Sequence, residues 1–296
     1  MKKAFTIIEL IFTIVILSIV AYVSTGLIAK TYVASRYTTS LNKINLKIEI
    51  ALTEIANRLE YAINNTVVKR KGNQYEAIAL APSDYEVLEW VGYDIDSFDA
   101  NEDNNTNKYK PSWSGFCDLK QSSGNGATET IITPGSNLDF AKSIVYEVSS
   151  RKISNLANVG VFFPGNFDYD NIGYGGSSVN GVATITDVLN NTTIKINNPS
   201  KRITEKYKLA WSAYAIVPTN CGSNGCNLEL RYNFKPWKGK DYNSNSGVKK
   251  SLLVKGVTVF KTYATQNRIH IKLCVKDHYS MKKTTSICKE KVIFKW

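Results

Sequence analysis

An uninterrupted apolar run near the N-terminus constrains the fold of this chain more than any other feature. The run covers residues 5–29, follows a short basic leader at residues 1–4, and contains one charged side chain, that of Glu9. Residues 10–29 carry no charged group, and about 20 such residues suffice for an α-helix to cross a hydrocarbon layer of about 30 Å. The sequence therefore predicts a helix whose first half, residues 5–29, spans a membrane.

Three interpretations of this run treat Glu9 differently. A carboxylate in an apolar helix costs a few kcal/mol to insert, and it serves neither a cleaved secretory signal nor a plain membrane anchor. No small-x-small cleavage site ends the run either. In the third interpretation, a cut between Ala4 and Phe5 creates an α-amino group one helical turn from Glu9. Such a cation can neutralise a carboxylate on a neighbouring helix, so the charge of Glu9 would serve the assembly of packed subunits.

The residues around that cut, KKAFTIIEL at positions 2–10, resemble the cleavage signature of type IV prepilins and type II secretion pseudopilins. The family usually has glycine before the cut, and Ala4 of this chain is the mildest departure from that pattern because alanine is still small. The resemblance implies that a prepilin peptidase removes residues 1–4 and methylates the amine of Phe5, and that Glu9 acts in assembly. It also implies other pilin or pseudopilin subunits, an inner-membrane assembly platform and the lipid bilayer as partners.

The helix is predicted to continue past the membrane to about residue 65. No proline precedes Pro82, so nothing forces a break. A coiled coil is one way to cover the apolar stripe of this second half, but the stripe lasts only about three heptads and lacks regular charged flanks. Packing against the chain's own sheet is therefore favoured. The stripe has spacings of three or four throughout, which is one face of a helix: Leu41, Ile44, Ile48, Leu52, Ile55, Leu59 and Ile63.

For residues 66–296 the sequence predicts a β-rich domain on the periplasmic side of the membrane. Leu228, Leu230, Tyr232 and Phe234 are expected on one face of a strand. The predicted fold class is α+β, a long N-terminal helix packed on a C-terminal antiparallel sheet whose other face meets water. This series of hairpins resembles the larger minor pilins and J-type pseudopilins. Strands are predicted where short apolar or alternating runs lie between turn-forming residues: 143–148, 159–163, 207–217, 227–234, 252–263, 267–276 and 287–296.

The five cysteines favour disulfides if the domain faces an oxidising periplasm. Cys221 and Cys226 flank the turn between two predicted strands, so a bond between them would clip that turn. Cys274 and Cys288 lie on the last predicted hairpin and are expected to pair, which leaves Cys117 over. A metal site is the rival interpretation, but the chain has only two histidines and lacks the close cysteine pairs that zinc sites use, so no metal is predicted.

The formal net charge of +12 raises nucleic acid as a partner. The basic residues are spread along the chain without a repeated face, so nucleic acid is not favoured. No acid, base and nucleophile constellation can be assembled, so neither an enzyme nor a cofactor is predicted. The expectation is a structural minor subunit of a type IV pilus or type II secretion filament, held in the bacterial inner membrane by one pass. The alternative is an anchored periplasmic binding or adhesion protein whose N-terminus is only a tether.

Overall fold

The computed structural model describes residues 6–98, 100–103, 108–124, 128–245, 247–280 and 283–294 of the chain. Its fold class is α+β, as the sequence predicts: a long N-terminal helix packs against antiparallel β-sheet. The predicted cleavage site between Ala4 and Phe5 lies outside the described residues.

The first helix, α1, is Ile7–Glu60 and begins after the N-cap Thr6. At 1.5 Å per residue it is about 80 Å long. It ends at Glu60, before the end near residue 65 that the sequence predicts. The reason is that the backbone N–H of Ile63 donates to the carbonyl of Val91 in the sheet (2.8 Å) instead of continuing the helix.

The rest of the described chain is mainly strand. A second helix, α2, is Leu138–Val148, and two single 3₁₀ turns cover Tyr174–Gly176 and Pro236–Lys238. The described strands, β1 to β16 in chain order, are Val68–Lys71, Gln74–Ala77, Val87–Gly92, Ala100–Asp103, Lys108–Pro111, Ser123–Gly124, Thr128–Ile132, Gly160–Phe162, Ala183–Asn190, Thr193–Asn197, Lys208–Ala210, Ser212–Gly222, Gly225–Phe234, Lys249–Thr265, Arg268–Ser280 and Lys283–Phe294.

These strands form two large antiparallel sheets and one hairpin. The first sheet has eight strands in the order β16-β15-β14-β13-β12-β3-β1-β2, and the second has six in the order β11-β8-β9-β10-β7-β6. Among the residues that the structure describes, β4 and β5 pair only with each other. The chain leaves the first sheet after β3 and returns to it at β12, so the second sheet is built from the segment between them.

The first sheet carries the second part of α1. The predicted stripe is buried there from Ile44 to Leu59, with Ile44, Ile48 and Ile55 fully buried. Alternate residues of the sheet complete this core, because successive side chains of a strand point to opposite faces. The sheet residues that pack with the stripe include Leu88, Trp90, Ile216, Leu228, Leu230, Val254, Ile269, Ile271, Leu273, Val275 and Ile293.

The second sheet and α2 enclose their own core, and here a sequence prediction is wrong. Residues 143–148 were expected as a strand, but they form the second half of α2. Leu138, Ala141 and Val145 share its buried face at spacings of three and four, and the side chain of Asn137 caps its first turn. The strand expected at 159–163 is present as β8.

Two strand predictions of the first sheet also need correction. Residues 207–217 form two strands of different sheets, β11 and β12, which separate at Trp211. Phe234 does not share the face of Leu228 and Leu230. A bulge places two residues of β13 opposite one of β12, and the left-handed backbone of Asn233 (φ 65°) then turns Phe234 to the other face.

The second face of the first sheet was predicted to meet water, but much of it is covered. The segment between β3 and β12 folds back over it, because that segment and the loop after β13 supply large apolar side chains that need burial. Phe162, Tyr174 and Trp237 are buried there against Ala213 and Ala215 of β12.

Candidate membrane and assembly site

The first part of α1 projects from the rest of the described protein. None of residues 7–39 is buried, whereas Ser40 is, and we call residues 7–39 the projecting segment and residues 40–60 the packed segment. Large apolar side chains of the projecting segment are open to solvent all round the helix: Leu10 is 55% exposed, Ile16 57% and Tyr22 82%. The helix is long and apolar enough to cross a membrane.

Three hydroxyl side chains of the projecting segment form hydrogen bonds within the helix and need no partner from outside it. Thr13 donates to the carbonyl of Leu10 (2.8 Å), Ser18 to that of Val15 (2.7 Å), and Thr31 to that of Leu27 (2.9 Å). Hydrocarbon offers no hydrogen bonds, so a spanning helix has to satisfy such groups internally. The projecting segment meets this requirement at these three hydroxyls.

Glu9 lies in the first turn of α1, where it completes a capping box with Thr6. One carboxylate oxygen of Glu9 accepts from the backbone N–H (3.1 Å) and the hydroxyl (3.0 Å) of Thr6, and the backbone N–H of Glu9 donates to the Thr6 hydroxyl (3.4 Å). Sequence reasoning missed Thr6, although Thr-x-x-Glu before an apolar run is the sequence signature of this motif. The carboxylate is therefore held at the start of the apolar cylinder.

Polar contacts fix the packed segment to the edge of the first sheet. Ser40 donates to a carboxylate oxygen of Asp277 (3.3 Å), and the ammonium of Lys289 lies 2.8 Å from the carboxylate of Glu49. The Lys289 hydrogen bond and charge hold the pKa of Glu49 below its ordinary value. Farther along, the Lys291 ammonium donates to the hydroxyl of Thr53 (3.2 Å). Together with the buried stripe, these contacts fix the direction in which the projecting segment leaves the sheet.

An apolar groove continues the exposed surface onto the packed segment. Leu46 is 63% exposed and Ile50 59% exposed on α1, and Leu252 of β14 is 48% exposed beside them. These residues line a groove of about 490 Å³ along the helix. A helix laid on a single sheet keeps part of its circumference open, and here Leu46 and Ile50 form an apolar patch among exposed residues that are otherwise polar or charged.

The cysteines pair as the sequence analysis expected. The structure joins Cys221 to Cys226 across the turn between β12 and β13, and Cys274 to Cys288 across β15 and β16. Cys117 is a buried free thiol, and burial raises its pKa. No group of histidine, cysteine and acidic residues within the described ranges is arranged to hold a metal ion.

A row of polar side chains crosses β14, β15 and β16 on the exposed face of the first sheet. The Thr265 hydroxyl lies 3.0 Å from Nε2 of His270, and Nδ1 of His270 lies 2.9 Å from the Glu290 carboxylate. Nucleophilic catalysis uses such a series, and sequence reasoning missed it because strand pairing brings the members together. The Tyr263 ring stacks on His270 (4.5 Å between centroids), and its hydroxyl donates to the same carboxylate. The row ties three strands together, and none of the cavities described for this protein includes it.

No protein-family model matches the chain, and no curated protein matches it. A function is therefore inferred from its own residues: a projecting apolar helix with one carboxylate in its first turn, fixed to a β-rich body by its second part.

Proposed function

We propose that the chain is a pilin-like minor subunit of a type IV pilus or type II secretion filament. The observation that carries this proposal is the division of α1. Its projecting segment has no buried residue, while its packed segment is buried in the first sheet. Such a helix can lie in the inner membrane before assembly and among the helices of other subunits afterwards, because both surroundings accept a cylinder that is apolar all round.

Glu9 gives the proposal its chemistry. Its carboxylate is fixed in the first turn by Thr6, so it would be presented at a constant depth to a neighbouring helix. In the proposed mature protein the α-amino group of Phe5 is the complementary cation. Low dielectric around packed helices strengthens an attraction of this kind, provided that both charges are paired.

The two-sheet body supports a minor position in the filament. The described residues beyond α1 build an eight-stranded sheet, a six-stranded sheet and α2. So bulky a body suits close stacking of every subunit poorly, and we place it at the filament tip or in contact with other minor subunits. The groove beside Leu46 and Ile50 is available for such a contact.

Replacement of Glu9 by alanine tests the assembly role. We expect Glu9→Ala to remain in the membrane fraction but to be lost from purified filaments, because the inserted helix would lack its charge partner. Glu60→Ala is the matched control, since Glu60 is an exposed carboxylate on the same helix, far from the apolar cylinder. Equal incorporation of wild type and Glu9→Ala into filaments would refute the assembly role.

The alternative, an anchored binding or adhesion protein, gives a different outcome in the same experiment. A helix that is only a tether gains from the loss of a carboxylate, because a charge in the membrane costs free energy. The alternative therefore predicts that Glu9→Ala is retained in the membrane at least as well as wild type, with its phenotype intact.

A further inference from the structure

A cavity of about 510 Å³ lies where α1 ends, far along the chain from the projecting segment. Four chain segments form it: residues 63–65 after α1, 114–116, 162–167 and 206–208. Its volume falls in the range of about 300–1,000 Å³ that small-molecule sites occupy. It has no part in the proposed assembly role, and the inference below does not rest on that role.

Backbone hydrogen bonds hold the walls of this cavity in place. The N–H of Cys117 donates to the carbonyl of Glu205 (2.7 Å), and the N–H of Tyr207 donates to that of Gly115 (3.0 Å). On another wall, Phe162 pairs with Lys208 where β8 and β11 are hydrogen-bonded neighbours in the second sheet. Three of the four segments are thus joined before any ligand arrives, so binding would need little ordering of the chain.

Aromatic rings form most of the apolar wall. Phe162 is buried and meets Phe167 edge to face, with 5.2 Å between ring centroids. The ring of Tyr207 is buried as well, while Phe116 at the mouth of the cavity is 45% exposed. A ligand ring placed against this wall could make the edge-to-face or offset contacts that aromatic rings prefer. The wall therefore favours an apolar ring.

The charge of the lining is positive. Lys206 and Lys208 line the cavity, and none of the described lining residues is acidic. Lys208 lines both this cavity and a smaller neighbour, and its ammonium lies over the ring of Tyr93, a residue of the neighbour, 4.7 Å from the ring centroid. Burial lowers the pKa of this ammonium, so an anion beside it would offset the cost of its charge. Glu60 lines a smaller neighbouring cavity together with Lys208, yet the two side chains form no ion pair. A partly desolvated cation without a carboxylate favours an anionic ligand.

We propose that this cavity binds a small aromatic carboxylate, with its ring among Phe116, Phe162 and Phe167 and its carboxylate on Lys208. Neither the ring nor the carboxylate alone identifies the class of ligand, because the wall accepts apolar rings in general and Lys208 accepts anions in general. Their combination within one preformed cavity sets the class.

The test is a titration of the full chain, held in phosphatidylcholine nanodiscs, with 2-naphthoate and with its neutral analogue 2-naphthalenemethanol. Heats measured with empty nanodiscs are subtracted. We expect saturable binding of one naphthoate per chain. Lys208→Met should weaken naphthoate binding about tenfold or more, since a hydrogen bond to a charged group is lost, and should leave binding of the alcohol unchanged. Phe116→Ala should weaken binding of both compounds.

Lys195→Met is the matched control, because Lys195 is an exposed lysine on β10 of the second sheet, outside the cavity lining; it should bind both compounds as wild type does. Each variant is checked by thermal unfolding, and the comparison of acid with alcohol on wild type stands even if a variant misfolds. Three results would each overturn the proposal: no saturable naphthoate binding, equal affinity of wild type for acid and alcohol, or no effect of Phe116→Ala on either compound.

Discussion

The projecting and packed segments belong to one unbroken helix, yet their surfaces differ. In the packed segment, apolar residues recur at spacings of three and four, and Ile44, Ile48 and Ile55 are fully buried. In the projecting segment, apolar residues cover every side, and none is buried. The width of the apolar surface therefore distinguishes the two surroundings: a stripe matches one sheet, whereas a complete cylinder matches lipid or several other helices.

The largest expected effect comes from placing the same carboxylate in both segments. Ile55→Asp should prevent folding of the β-rich body, because an unpaired charge at a fully buried position costs more than about 4 kcal/mol. Ile16→Asp should leave the thermal unfolding midpoint of the body unchanged. It should reduce resistance to carbonate extraction from membranes, since aspartate at the centre of a spanning helix costs about 2.5–3.5 kcal/mol. Similar effects of the two variants on both measurements would break the comparison.

A smaller effect is expected from the disulfides. Cys274 and Cys288 join β15 and β16 below the packed segment, with a sequence separation of 14. Replacing both by alanine should lower the free energy of unfolding by about 3 kcal/mol. Replacing Cys221 and Cys226 by alanine should cost less, about 2 kcal/mol, because their separation is 5. Chemical denaturation measures both.

Membrane retention supplies the control for the disulfide variants. Both pairs lie far from the projecting segment in the sequence. We therefore expect both variants to resist carbonate extraction from membranes as well as wild type does. A disulfide variant that leaves the membrane while its body stays folded would show that the two segments are not independent.

The smallest effect concerns the ion pair between Glu49 and Lys289. The bond to Lys289 lowers the folded-state pKa of Glu49. Its contribution to stability is therefore complete above the ordinary pKa of 4.5 and is lost as the pH falls through the lowered folded value. Glu49→Gln should have a slightly lower unfolding midpoint than wild type at pH 7, and the difference should vanish in acid. A difference that grows on acidification would contradict this sign.

Local patterns in the sequence predict the N-terminal helix and the strands of the last third of the chain, whereas nine of the sixteen described strands, β1 to β7, β9 and β10, were not predicted. The helix, its buried stripe, the C-terminal strands and the two cysteine pairs all follow from spacing within short stretches. One difference between the predicted and the observed fold depends on distant segments. The far face of the first sheet is covered because the segment between β3 and β12 folds back over it. The spacing of apolar residues within one strand or helix does not reveal such a long-range contact.

Single-residue backbone geometry accounts for other differences. The left-handed conformation of Asn233 turns Phe234 to the opposite face, and strict alternation cannot anticipate a bulge. Helix α2 was missed even though Leu138, Ala141 and Val145 have helical spacing. Its second half ends in a run of β-branched and aromatic residues that also suits a strand. In the candidate site, Glu9 was found from its charge, whereas its partner Thr6 required the capping motif.

The mass of the mature protein, taken intact from membranes of a cell that has the prepilin peptidase, tests the central claim most directly. The proposed pilin-like role predicts a chain that begins at Phe5, lacks residues 1–4 and carries one added methyl group on its amine. A chain that still begins at Met1, or one cut inside the apolar run, would contradict it.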